Sequence, residues 1–276
     1  SVRSGPDMSY VPSIGLGGYA GWAVLKRTEA TQKAAFDNQA SVKRDEDYFR
    51  EKIGQVTTAE QLVSDRRLLN VALGAFGLED DIDNRYFIRK VLEDGTLTEG
   101  ALALKLSDTR YREFATAFGF DLAVPKTRLS DFPDKIVSQW KDRQFEVSVG
   151  TVDESLRLAM NAERELAKLA GSTMSEDAKW FSVMGQGPLR AVLETAFGLP
   201  SAFGSLDIDT QKSMLKQKAK AAFGDDSVAQ FAEPGRMDAL VKRYLLRNQV
   251  ANMGSGLSAS SVALTLVSQT ALAMKQ

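Results

Sequence analysis

Residues 57–78 read TTAEQLVSDRRLLNVALGAFGL, and this stretch decides the fold class. Leu62, Leu69, Leu73 and Phe76 fall on one face of a helix with about 3.6 residues per turn. Thr57-x-x-Glu60 has the spacing of a capping box, in which a side-chain oxygen takes up a free backbone N–H of the first turn. Gly77 stands just past the last periodic residue, where helices commonly end in a left-handed glycine. A helical segment is therefore expected to open near Thr57 and run towards Phe76.

The same signals continue on both sides. Apolar spacing predicts helices over 19–36, anchored by Trp22, Leu25 and Phe36, and over 42–53, which is highly charged. Downstream, Asp83 or Asn84 caps 85–93 ahead of Gly95, and 98–106 reads as a further helix. Ser107 or Asp108 then caps 109–118 ahead of Gly119. Residues 131–171 are a long charge-rich stretch, either two helices or one interrupted helix. Its weak point is Val147-Ser148-Val149-Gly150, and Thr151-x-x-Glu154 marks a fresh start. Helices over 175–184, 188–197, 209–223 and 237–250 follow. Sustained two-residue alternation is scarce, so the expected class is all-α.

An internal repeat is visible. Leu68-x-x-Val71-x-x-x-Ala75-Phe76-Gly77-Leu78 matches Leu189-x-x-Val192-x-x-x-Ala196-Phe197-Gly198-Leu199 at an offset of 121 residues. Both copies precede a loop, helical sequence and another Ala-Phe-Gly, at 117–119 and 222–224. Duplication of a helical module or a recurrent helix-end signal produces this pattern. The expected layout is N-terminal helices at 8–53, two related helical modules at 54–122 and 173–250, a helical connector at 123–172, and an uncharged C-terminal helix at 251–276.

Composition excludes several chemistries. The 276 residues include no Cys and no His. Thiolate nucleophiles, disulfides, Cys- or His-ligated metals and His-based catalytic triads are thereby ruled out. Lys plus Arg number 35 against 36 Asp plus Glu, a net charge of −1, which argues against nucleic acid as a partner. No long apolar run suits a membrane span. Residues 11–25 are uncharged but glycine-rich, without the basic start of a signal peptide. Ser1 to Asp7 are expected to be an upstream extension ahead of Met8.

Residues 248–274 contain no charge at all. Leu257, Leu264 and Ala271 lie seven apart, as do Val267 and Met274, and with Ser260 they occupy the a and d positions of one heptad seam. Two readings stay open: a final helix packed on the core, or a strip that meets a helix of another molecule. A packed surface helix ordinarily keeps charges on its wet face, which favours the strip.

Four local patterns bear on chemistry. Gly15-Leu16-Gly17-Gly18-Tyr19-Ala20-Gly21 resembles a phosphate-cradling loop, but no βαβ unit surrounds it, and a flexible lead-in to the first helix is the better reading. Ser213-Met214-Leu215-Lys216 matches Ser-x-x-Lys, yet the later Ser-Asp-Asn and Lys-Thr-Gly elements of such enzymes do not follow. Glu79-Asp80-Asp81-x-Asp83 offers oxygen ligands without EF-hand spacing, and more simply places negative charge before the next helix. Lys212, Lys216, Lys218 and Lys220 read as a solvated basic face. No catalytic residue, metal or cofactor is expected.

Several runs together carry a resemblance. They are Gly17-Gly18-Tyr19-Ala20-Gly21-Trp22, Asp45-x-x-Tyr48-Phe49-x-x-x-Ile53, the 68–78 stretch, Phe87-Ile88-x-Lys90-Val91-Leu92-Glu93-x-Gly95 and Leu106-Ser107-Asp108-x-x-Tyr111-x-x-Phe114. With them the chain resembles the proteobacterial family called domain of unknown function 1217, most specifically over 45–120. The resemblance brings no active-site residues with it. It implies a bacterial protein associated with flagellar genes. The leading expectation is a non-enzymatic structural or accessory protein of the flagellar system. It would act through helix-mediated contacts with flagellar components or with itself, in the cytoplasm or exported without a cleaved signal. Leu257, Leu264, Val267, Ala271 and Met274 would form its contact seam. The alternatives are a cytoplasmic helical scaffold or chaperone with a groove for a partner helix, and a hydrolase using carboxylates or a Ser–Lys pair.

Overall fold

The computed structural model describes the backbone of residues 10–256 and the side chains of 10–252. Among the described residues are thirteen α-helices and no strand, the all-α class that the periodicity implies. Local chemistry sets the helix ends. After α1 (Gly18–Asp37) and α2 (Ala40–Lys52), the 57–78 stretch forms two helices, α3 (Ala59–Ser64) and α4 (Arg66–Gly74), where one was expected. Its N-cap is Thr58, whose hydroxyl accepts from Gln61 N at 3.2 Å, while Gln61 Oε1 accepts from Thr57 N at 2.8 Å. The reciprocal pair is thus displaced from Thr57 and Glu60 by one residue. Asp65 divides the run, because its carboxylate accepts from Arg67 N and Leu68 N, both at 3.0 Å, and so starts a new helix.

The next helices are α5 (Arg85–Asp94), α6 (Leu102–Lys105) and α7 (Thr109–Phe118). The helix expected over 98–106 shortens to α6, since Asp94 Oδ2 receives Leu102 N at 3.2 Å and fixes the start there. Asp108 caps α7 through Arg110 N at 3.0 Å. The long charged stretch resolves into α8 (Phe132–Gly150) and α9 (Glu154–Ala170). Asp153, rather than Thr151, caps α9 through Ser155 N at 2.9 Å. The chain continues through α10 (Glu176–Gly185), α11 (Gly187–Phe197), α12 (Ile208–Phe223) and α13 (Pro234–Gly256).

The α8–α9 hairpin is the spine of the molecule. α8 packs on α2 and α4, α9 packs on α10, α11 and α13, and α1 lies over α8, α9 and α13. Trp140, Phe145 and Val149 of α8 and Leu156, Ala159 and Leu166 of α9 are buried. One continuous apolar cluster runs from Ile14 to Leu245, across the boundaries drawn at 54–122 and 173–250. Residues 123–172 therefore contribute the middle of a shared core.

The repeat has a definite local geometry. Gly77, Gly119, Gly198 and Gly224 take φ of +69°, +61°, +61° and +80°, a region that glycine enters without steric cost. The two phenylalanines of each copy meet in the same way. Phe76 and Phe118 lie 6.5 Å apart at 56°, and Phe197 and Phe223 lie 6.3 Å apart at 58°. A basic side chain reaches a terminal carbonyl at all four ends. Lys126 Nζ donates to Thr116 O at 2.8 Å and Arg243 Nε to Ala196 O at 2.7 Å, while Arg110 reaches Gly77 O and Arg236 reaches Phe223 O. Positive charge there complements the negative end of the helix dipole. Between the paired ends, the first copy carries α5, α6 and α7, whereas the second carries only α12, so the correspondence is confined to the helix ends.

Candidate functional site

An open groove of about 460 Å³ lies between α7, residues 126–131 and α8, with Lys168 of α9 on its wall. Helical spacing builds two of its sides. α7 presents Arg112 with Thr116 and Glu113 with Ala117, each pair four apart, and α8 presents Phe132, Lys135, Ile136 and Gln139. The floor is apolar, from Phe76, Ala117, Leu129, Phe132 and Ile136. Beneath it, Phe76, Phe114, Phe118 and Phe132 form an edge-to-face chain with centroid separations of 5.3, 4.9 and 5.1 Å. Such packing fixes ring orientation and holds the floor rigid.

The rim is charged and unevenly paired. Asp131 holds Lys135 at 2.5 Å, and Glu113 holds Lys168. Lys126 is bonded to Thr116 O at 2.8 Å. No carboxylate among the described residues pairs with Arg112 or Lys126; Lys126 is held by the C-terminal end of α7, and Arg112 stands beside the apolar floor without an ion pair.

Behind the groove is a smaller cavity of about 160 Å³ that shares Phe76, Glu113, Gln139 and Lys168 with it and adds Arg143, Arg164 and Glu165. Here α8 and α9 bring together two cations and two carboxylates. Arg143 Nη2 lies 2.8 Å from Glu165 Oε1. Arg164 grips Glu146 with both prongs, at 2.7 and 2.9 Å, and also reaches Glu165. Glu146 and Glu165 are only 7% and 2% exposed, so these charges hold one another within the core. Burial alone would push Glu165 up, but Arg164 and Arg143 outweigh it and hold its carboxyl below the usual range.

The motifs singled out in the sequence are occupied by internal partners. Gly18 N, at the open end of α1, donates to Asp153 Oδ2 at 3.0 Å. A Cβ on Gly17 would come within 2.8 Å of that oxygen, so the glycine-rich loop cradles a carboxylate of its own chain. Ser213 is exposed, and Lys216 faces Asp177 at 3.3 Å, a residue it shares with Lys212 at 3.1 Å. Asp81 accepts from Asn84 at 2.7 Å and from Tyr111, while Asp83 pairs with Arg66 at 2.5 Å. Among the described residues no His, Cys, Asp and Glu grouping is arranged to hold a metal, and no helix is long and apolar enough to cross a membrane. The seam residues Leu257, Leu264, Val267, Ala271 and Met274 lie outside the described residues. The groove's lining is not legible in the sequence, since five separate segments build it: Phe76, α7, residues 126–131, α8 and Lys168 of α9. Its one sequence signal is Leu129, an apolar loop residue that proves to be 52% exposed.

A family model described as "Protein of unknown function (DUF1217)" matches residues 75–237, more than half of the chain. The chain belongs to the DUF1217 family. The matched region of this DUF1217 protein contains all four Ala-Phe-Gly ends, the groove and the α8–α9 spine. A crystal structure of a protein from Agrobacterium tumefaciens is similar to it, at 25% identity and a TM-score of 0.72, covering 88% of this chain and 97% of that one. No curated protein matches the DUF1217 chain.

Proposed function

We propose that this protein works by contact, as a helical scaffold or accessory component that docks an amphipathic helix of another protein in the α7–α8 groove. The observation that carries the reading is the groove's construction: an apolar floor braced by edge-to-face aromatic packing, with Arg112 on the rim unpaired by any carboxylate among the described residues. The complementary partner is a helix with one apolar face flanked by Asp or Glu. The setting we propose is the bacterial flagellar system, which rests on the flagellar-gene association that the family resemblance implies and on the uncharged 248–274 segment.

The test is genetic and uses the intact chain. The gene is deleted in its host, then replaced by wild type, Leu129→Asp or Arg112→Glu. Swimming, filament number by electron microscopy, and protein in cells and supernatant are measured. Both substituted residues are exposed, so each variant should accumulate as wild type does. We expect the deletion to impair swimming and both variants to reproduce the defect. Normal swimming and normal filaments in the deletion would sink the flagellar setting. Full complementation by both variants would remove the groove from the function.

A further inference from the structure

Charge is distributed unevenly along the α7–α8 groove. At one end the start of α8 lies by the end of α7, with the Phe118 and Phe132 rings 5.1 Å apart. Charges there are matched: Asp131 holds Lys135 at 2.5 Å, and Lys126 donates to Thr116 O at the negative end of the α7 dipole. At the other end Arg112 and Glu113 of α7, Gln139 of α8 and Lys168 of α9 line the wall. Glu113 is taken by Lys168, while Arg112 is exposed and has no ion pair among the described residues. Two cations therefore stand there against one carboxylate. The cluster behind this end does not cancel the excess. Glu146 and Glu165 balance Arg164 and Arg143, and Asp142 pairs with Lys33 of α1. One surplus positive charge stays on the rim, at the head of the apolar floor.

Dimensions limit what can fill the floor. Gln139 lies seven positions after Phe132 on α8, about 10 Å at about 1.5 Å per residue. With C–C bonds of about 1.5 Å, an extended aliphatic chain of about eight to ten carbons spans that length. The volume of about 460 Å³ falls in the range of small-molecule sites, which combine an apolar lining with a few placed polar groups. We propose that the groove binds a medium-chain aliphatic carboxylate, its chain along Leu129, Phe132 and Ile136 and its head group on Arg112. The Gln139 amide and the remaining ammonium donors of Lys168 stand at the same end. Such a ligand competes with a docked helix for one floor, and in that consequence alone the proposal rests on the docking reading.

Calorimetric titration of the purified full chain tests it, with decanoate, decanol and decylammonium as probes that share a chain and differ in head group. Wild type, Arg112→Gln and Leu129→Asp are compared. Both substituted residues are exposed, and circular dichroism checks that each variant folds as wild type does. Decanoate should saturate a single site on wild type. Arg112→Gln should weaken it about tenfold, the worth of a hydrogen bond to a charged group, and should leave decanol unchanged. Leu129→Asp should weaken both. Absence of saturable decanoate binding below about 1 mM overturns the proposal. So does decanol or decylammonium binding as tightly as decanoate, or decanoate binding that Arg112→Gln leaves untouched. Failure of the docking reading is read separately: a Leu129→Asp variant that loses decanoate yet restores swimming removes the docked helix from the function and leaves the ligand site standing.

Discussion

Glu165→Gln is the sharpest perturbation the core offers. In the wild type, Arg143 and Arg164 are balanced by Glu146 and Glu165, and Glu165 contacts both guanidinium groups. Gln keeps the volume and one acceptor oxygen but removes the charge, so the cluster carries an excess positive charge within the core. Leaving a buried charge uncompensated costs about 3–5 kcal/mol. At about 2–4 °C per kcal/mol for a chain of this size, the thermal midpoint should fall by about 6–20 °C. Adding Arg143→Met restores the charge balance, and the double variant should recover most of the loss, since apolar replacement of a buried pair is often neutral. Acid provides a second readout. The folded-state carboxyl lies below its unfolded value of about 4.3. Its contribution is complete above the unfolded value and is lost as pH falls through the folded one. Wild type should therefore lose stability in acid more steeply than Glu165→Gln. The assay is urea or thermal unfolding from neutral to acid pH. A single-variant loss below about 1 kcal/mol, or a double variant as unstable as the sum of its parts, would refute the claim that these charges hold one another.

Asp153→Ala removes a cap from α9 and from α1 at once, and at about 1 kcal/mol per cap should destabilise by about 2 kcal/mol. Asp153→Asn keeps one acceptor and should lose about half as much, as measured by denaturant midpoints; equal losses would deny the double role. Gly77→Ala places a Cβ at φ +69° and 2.7 Å from Arg143 Nη1, and the left-handed backbone alone costs about 1–2 kcal/mol. Gly235→Ala, with open space around it and a helical backbone, should instead gain about 0.4–1 kcal/mol, so the two glycine variants should move the melting temperature in opposite directions.

What was legible in the sequence was mostly local. Ala-Phe-Gly announces its helix ends because both requirements, an apolar anchor and a positive φ, lie within three adjacent residues. Asp65 was harder to see, since apolar periodicity runs straight through it from Leu62 to Leu69 and only its side-chain bonds reveal the break. The burial of the 131–171 stretch is not legible for a physical reason. Charged residues normally mark a wet helix face, but Arg143, Glu146, Arg164 and Glu165 satisfy one another and allow their helices into the core. The groove depends on Phe76, Leu129 and Ile136 arriving from three separate segments, which no single-helix pattern encodes.

The bond from Gly18 N to Asp153 has a bearing on synthesis. The first helix receives its cap from a residue 135 positions later. At about 5–20 residues per second, about 7–27 s pass between the two leaving the ribosome. During that interval α1 lacks its cap and the α9 and α13 surfaces that pack on it, and α8 arrives only at its end. A nascent chain stalled before residue 153 thus presents an unsheltered aromatic face to chaperones and proteases. The N-terminal helix is made first and locked late.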